Sequence, residues 1–350
     1  MRQQLEISQL AHQLRDDRFN KHDFIADTTA LNFSNTVNGI KLAAEGMSHF
    51  DINNHCHGQI ASRLNITKKD YDRFLTKHPD ILADVVTKLF ARESERRLVR
   101  TLNGTARGFL SDKFRIDMDN FDVAEAALPI LQEVPEMRIE SCGVTDTRMY
   151  IKGVFPRLKA DVKVGDTVTA GIVISNSEVG AGSLRIEALI WRLWCLNGAI
   201  VGELLRKFHV GSKHGMDDAT LSVLSQATRD KQAEAMRAVI RDVTVAATDE
   251  VKFLERVKTM QDATKDAITG DPVKAIEVLG NSLNLTKDEE SGILRNLIKE
   301  GDLSRYGLSN ALTRTSQDIE DYDRATEFER LGGRVINLKQ AEWTEVAQAA

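Results

Sequence analysis

Cysteine is scarce in this chain, and recognisable export, membrane and nucleotide-hydrolysis signals are missing. The three cysteines, Cys56, Cys142 and Cys195, lie far apart and are odd in number. That argues against a disulfide framework and for a reducing cytoplasm. No apolar run approaches the roughly 18 residues of a membrane span. The first residues, Met1-Arg2-Gln3-Gln4-Leu5-Glu6, have no apolar core of the signal-peptide kind. A Gly-x-x-x-x-Gly-Lys-Ser/Thr loop is absent, so ATP-driven strand exchange is not expected. Neither a Gly-x-Ser-x-Gly elbow nor a His-Glu-x-x-His helix occurs. His55-Cys56-His57 is too compressed for one tetrahedral ion, and no second Cys/His cluster follows it.

What is present suits a globular protein of two or three domains: 350 residues, 42% hydrophobic and 28% charged. The charge is uneven. Residues 141–215 carry 10 Lys/Arg against 6 Asp/Glu, while residues 216–350 carry 18 against 25. A locally basic middle permits an anionic partner.

Pattern and punctuation predict an α+β protein with a central antiparallel β-sheet of hairpins, flanked by an N-terminal helical region and a helical C-terminal region. The expected divisions are an arm and small helical region over 1–80, an α+β core over 81–215 and helices over 216–350. Short helical pieces are expected over 31–75 and a helix from Asp80 to about Val99. A hairpin turns at Asn103-Gly104, and a helix starts at Asn120. Strands follow at 137–140, 149–155 and 167–175, with Pro156 at a strand edge or end. Leu184–Leu196 reads as a strand that could pass into a helix near Trp191. Six helical segments then run to Gly332-Gly333, read as a stop, with a short strand possible at Val335–Leu338.

Glycine, cations and aromatics are densest around Ser175-Asn176-Ser177-Glu178-Val179-Gly180-Ala181-Gly182-Ser183 and the run after it. Ser175, Asn176, Ser177, Gly180 and Gly182 form a turn whose backbone N–H groups could approach phosphate. Arg107, Lys113 and Arg115 on the hairpin, with Arg185, Arg192, Arg206, Lys207, His209 and Lys213 on the central run, would line a positive groove. Such a groove would hold the phosphates of a single strand, with Trp191 or Phe208 stacking a base. The plainer reading is an amphipathic hairpin with solvated arginines, a core Trp191 and loop histidines. Glu178 and Glu187, with Asp166 and His209, are candidates for Mg²⁺ in a nuclease; carboxylates beside basic strands more often neutralise their neighbours.

Three blocks of residues carry a resemblance. They are Arg100-Thr101-Leu102-Asn103-Gly104 through Asp119-Asn120-Phe121; Ser175-Asn176-Ser177-Glu178 through His209-Val210-Gly211; and Asp302-Leu303-Ser304-Arg305-Tyr306-Gly307 through Phe328-Glu329. In this order they resemble an uncharacterised phage/plasmid-related family, a domain of unknown function found in phages, plasmids and conjugative elements. The resemblance implies a mobile-element protein in the cytoplasm of a bacterial host cell. The expected architecture is also distantly similar to phage single-strand annealing recombinases. That similarity implies ATP-independent binding and annealing of single-stranded DNA by a homo-oligomer, with no cofactor and no membrane partner. The alternatives are a Mg²⁺-dependent nuclease and a non-catalytic structural or interaction protein of a mobile element.

Overall fold

A computed structural model describes residues 6–114, 118–193, 195–209 and 225–350. Helix α1 (Ile7–Asn20) leads into β1 (Phe24–Asp27), β2 (Leu31–Thr36), β3 (Gly39–Ala44) and β4 (Phe50–Ile52). Strands thus replace the helices expected near residue 31. The overlooked signal is Asn38-Gly39 between two alternating runs. β2 and β3 pair from Leu31–Ala44 to Thr36–Gly39, and Gly39 takes φ +105°, a conformation glycine adopts at no steric cost. Leu31, Phe33, Ile40 and Leu42 face inward. Helices α2 (Asn54–Arg63), α3 (Lys68–Lys77) and α4 (Pro79–Phe90) cover that face with Cys56, Ile60, Tyr71, Leu82, Val86 and Phe90.

Helix α4 ends at Phe90 rather than near Val99, because β5 (Arg96–Leu102) begins there and turns into β6 (Thr105–Ser111). The turn residues Asn103 and Gly104 both have positive φ, 50° and 77°, as a two-residue hairpin requires. This hairpin joins β1 and β4 in a six-stranded sheet of order β1-β5-β6-β4-β3-β2, antiparallel except for β4 against β6. It therefore belongs to the N-terminal sheet, and the division expected after residue 80 would cut α4.

Helix α5 (Asn120–Glu133), capped by Asp119 rather than Asn120, opens the central unit. Strands β7 (Arg138–Val144), β8 (Met149–Lys163), β9 (Asp166–Asn176), β10 (Leu184–Arg192) and β11 (Asn197–Lys207) form an antiparallel meander. The α+β class and the central hairpin sheet are as the pattern predicted. Pro156 lies inside β8, where the register against β9 slips between Phe155 and Lys159; the irregularity spares proline a ladder hydrogen bond. Leu184–Arg192 is strand throughout, with Trp191 half-buried at its end.

Helices α6 (Gln226–Ala246), α7 (Glu250–Ala263), α8 (Pro272–Leu283), α9 (Lys287–Glu300), α10 (Arg305–Thr315), α11 (Tyr322–Ile336) and α12 (Gln340–Ala347) complete the described chain. One face of the central sheet buries Met149, Ile151, Ile172, Ile174 and Ile186 against α1, α5, α6 and α7, through Leu10, Val123, Leu131, Ile240 and Phe253. The other face lies under α10 and α11 and holds only a small apolar group, Val154, Val173, Leu189 and Ile200. Residues 268–347 have an apolar core of their own. Gly332-Gly333 does not stop α11, which runs on to Ile336, so the possible strand at Val335–Leu338 does not form. A side chain at Gly333 would collide with the Ile200 carbonyl of β11. The glycine pair serves close approach, Gly333 to β11 and Gly332 to α10, instead of termination.

The β9–β10 loop ties the N-terminal sheet to the central one. The side chain of Glu178 is 1% exposed and accepts from Lys21 Nζ at 2.6 Å, Arg107 Nη2 at 2.6 Å and the Asn120 amide at 2.8 Å. Arg100 donates to the Glu178 carbonyl at 2.6 Å and pairs with Asp23. The neighbouring Val179 carbonyl accepts from Gln59 Nε2 at 2.8 Å and lies 3.0 Å from His55 Nε2. Burial alone would raise the Glu178 pKa. The charges of Arg107, Lys21 and Arg100, with the Asn120 amide, outweigh burial and bring it down to about 2 from 4.5.

Removing the carboxylate charge leaves Arg107 buried without its carboxylate and Lys21 with Asp119 alone, at 3.4 Å. Glu178→Gln is expected to cost about 3–5 kcal/mol in chemical denaturation at neutral pH. The contribution is complete above pH 4.5 and is lost as pH falls towards 2. Burial raises Asp17 and Asp119, which act with the opposite sign, so the informative quantity is the gap between wild type and variant. That gap should narrow between pH 4.5 and 2; a gap independent of pH would refute the assignment.

Candidate anion-binding site

Alternation along the central strands puts Tyr150, Ser175, Arg185 and Arg206 in one cross-strand row on the face under α11. Tyr150 pairs with Ser175, Ser175 with Arg185, and Arg185 with Arg206. Two like charges stand directly opposite each other on β10 and β11, an arrangement that destabilises a sheet. Arg330 of α11 joins them, with Nε and Nη2 both on Glu187 at 2.6–3.0 Å and Nη2 3.4 Å from Ser175 Oγ. Arg185 reaches the same Glu187 at 3.7 Å and donates to Ser183 Oγ at 3.3 Å. Arg148 donates to the Ala181 carbonyl, while its Nη1 is buried with no hydrogen-bond partner among the described residues. Arg330, Arg206 and Arg148 thus all lie close enough to Arg185 to repel its charge, and Arg206 lies 3.8 Å from Glu203. Burial, then the charge of Arg330, lowers the pKa of Arg185, and Arg206 and Arg148 act in the same direction. The site is open: the side chains of Arg185, Arg330 and Arg206 are 21%, 20% and 39% exposed. Arg206 also lies 4.5 Å from the Phe208 ring centroid.

The other expected groove residues go elsewhere. Arg107 is spent on Glu178. Arg192 pairs with Asp166 at 2.7 Å and Glu300 at 2.9 Å at the far end of β10. Lys207 alternates to the opposite face, opposite Leu184. His209 is buried, 3.2 Å from Asn176 Oδ1. Lys113 is exposed beside the β6 hairpin. Arg115 and Lys213 lie outside the described residues. Ser175, Asn176 and Ser177 are fully buried, so their backbone is closed to phosphate. The Asn176 amide instead donates to the Met118 carbonyl and Asn120 Oδ1. Gly180 abuts Leu110, and Gly182 abuts the Arg148 guanidinium.

The acid candidates do not converge. Asp166 and Asn176 are the two ends of β9, about 33 Å apart by strand rise, and Glu178 lies beyond the second. Glu178 and Glu187 are each neutralised by arginine or lysine. No group of three potential metal ligands occurs among the described residues, nor does a helix there have the length and apolarity to cross a membrane.

A cleft of about 810 Å³ lies between α2–α3 and the start of α11. Its cations are already paired, Arg63 and Arg97 with Glu95 and Lys68 with Asp72, while its carboxylates Asp146, Asp321 and Asp323 make it unsuited to an anion. The arginine group, where cations outnumber carboxylates, is the stronger site.

Sequence reasoning found Arg185 and Arg206 but missed Arg148 and Arg330. Both come from distant segments, and only the fold brings them to the row. These features define an α+β protein with a partly open arginine cluster on its central sheet, a candidate anion site. No family model, curated protein or solved structure matches the chain.

At low ionic strength, Arg206→Gln should raise stability by about 0.2–1 kcal/mol by relieving the cross-strand repulsion. Inorganic phosphate should raise the unfolding temperature of wild type more than that of the variant. A variant less stable than wild type, with an unchanged response to phosphate, would count against the site.

Proposed function

We propose that the protein binds single-stranded DNA and lets complementary strands anneal without nucleotide hydrolysis. The observation that carries this reading is the opposed pair Arg185–Arg206 with Arg330 and Arg148 beside it. Repulsion that costs folding free energy is relieved by a bound polyanion, and arginine binds phosphate oxygens in a bidentate manner. Phe208, next to Arg206, offers a face on which a base stacks. Phosphates held on the row leave base edges free to pair. Copies assembled side by side would extend the row. The resemblance of three motif blocks to a phage/plasmid-related family supports a mobile-element setting in a bacterial cytoplasm.

Fluorescence anisotropy with labelled oligothymidylate tests the reading. Affinity should fall steeply with salt. The double variant Arg185→Gln/Arg206→Gln should flatten the log–log salt slope by about 1.4, roughly 0.7 for each phosphate no longer neutralised. The protein should also speed pairing of two complementary strands in the absence of ATP. No binding at low salt would overturn the proposal.

A further inference from the structure

The arginine group is clustered rather than strung out, and this bears on which phosphate it takes. Arg185 and Arg206 face each other on adjacent strands, whose axes lie about 4.8 Å apart. Arg330 shares Glu187 with Arg185, and Arg148 closes the side next to Ala181 and Gly182. A track for a running strand needs cations spread along its length, each meeting a diester of single charge. A terminal phosphomonoester carries nearly two charges at neutral pH and three strong acceptor oxygens. Several arginines around one point match that group better than they match a diester.

We infer that the cluster of Arg148, Arg185, Arg206 and Arg330 is a receptor for the terminal phosphate of a nucleic-acid strand. The inference rests on the DNA-binding reading and narrows it from strand to strand end. Glu187 orients Arg330 and Arg185. The buried, unpartnered Nη1 of Arg148 supplies a donor that the protein itself does not use. Gly182 sets how closely Arg148 approaches, because a methyl group there would collide with its guanidinium tip. That tip ends a flexible side chain, so Gly182→Ala moves Arg148 without a backbone clash.

The experiment compares one oligonucleotide sequence with a 5′-phosphate, with a 3′-phosphate and with hydroxyls at both ends, in anisotropy competition at fixed salt. One phosphorylated form is expected to bind at least tenfold more tightly than the hydroxyl form, and which one wins identifies the end. Inorganic phosphate should compete more strongly against the phosphorylated form than against the hydroxyl form, so that the advantage shrinks as phosphate is added. Gly182→Ala and Arg148→Gln should each bring the phosphorylated-to-hydroxyl affinity ratio down to about 1, whatever their effect on hydroxyl-form affinity. Equal binding of all three forms overturns the end-recognition inference but leaves single-strand binding standing. Failure of every form to bind overturns both. An advantage that survives in both variants overturns the assignment to this cluster.

Discussion

The join between the first third of this molecule and its centre turns on the carboxylate of Glu178. Two cations from different elements, Lys21 after α1 and Arg107 on β6, meet there, together with the amide that opens α5. A buried carboxylate is expensive unless every lone pair is used, and here the donors come from parts of the chain that are 58 to 157 residues away. The loop can carry this charge only because the N-terminal sheet and α5 are both in place. The dependence is mutual. Without Glu178, Arg107 would lose its carboxylate and Lys21 would keep only Asp119, at a seam that also contains Arg100. Val179, Gly180 and their partners Gln59, Gly108 and Leu110 fill the rest of the seam by shape.

The second face of the central sheet shows the same economy applied differently. Its apolar group is small, and α11 is held largely by paired polar groups. Lys152 meets Glu329 at 2.6 Å with both nearly inaccessible, and Lys152 also donates to Thr326. Such a pair adds little net stability over an apolar contact, but it fixes the register of helix on strand. Gly333 then brings the α11 backbone onto β11, while Gly332 lets it approach α10 at Ser309 and Thr313. Helix position in turn decides where Arg330 stands. The candidate site is therefore a product mainly of the sheet–helix interface; the β9–β10 loop serves as a clasp at Glu178 and Val179 and touches the site only through Ala181, Gly182 and Ser183.

The sequence was legible where local signals suffice. The antiparallel meander, the Asn103-Gly104 hairpin and the capped helices α8 and α9 follow from alternation, turn residues and caps. Strands β2 and β3 were missed although Asn38-Gly39 announces them, because their residues are mixed polar and apolar and the flanking helices dominate the pattern. Gly332-Gly333 was read as a stop because a glycine pair in sequence looks the same whether it ends a helix or makes room for a neighbour. The charges were least legible. Arg107, Arg192, Arg185 and Arg206 are alike as letters. Their fates, two neutralised and two opposed, depend on Glu178, Asp166 and Glu300, which are 26 to 108 residues from their arginines where they pair.

The contrast between those fates is the strongest physical argument about the site. This fold neutralises cations readily: Arg192 has two carboxylates, Arg324 pairs with Glu289 and Glu327, and Arg107 shares Glu178 with Lys21. At the row on β10 and β11 it does so only in part, with Arg185 3.7 Å from Glu187 and Arg206 3.8 Å from Glu203. Arg185 faces Arg206 where a glutamate would have been stabilising, and the nearby Glu187 is already claimed by Arg330. A surplus of positive charge at one point of a chain with formal net charge −5 cannot be ascribed to an overall basic composition. It is local, partly shielded from solvent and held in place by α11, the conditions under which an anion gains most from binding. The opposed arginines cost folding free energy there, and an anion bound between them would relieve that cost.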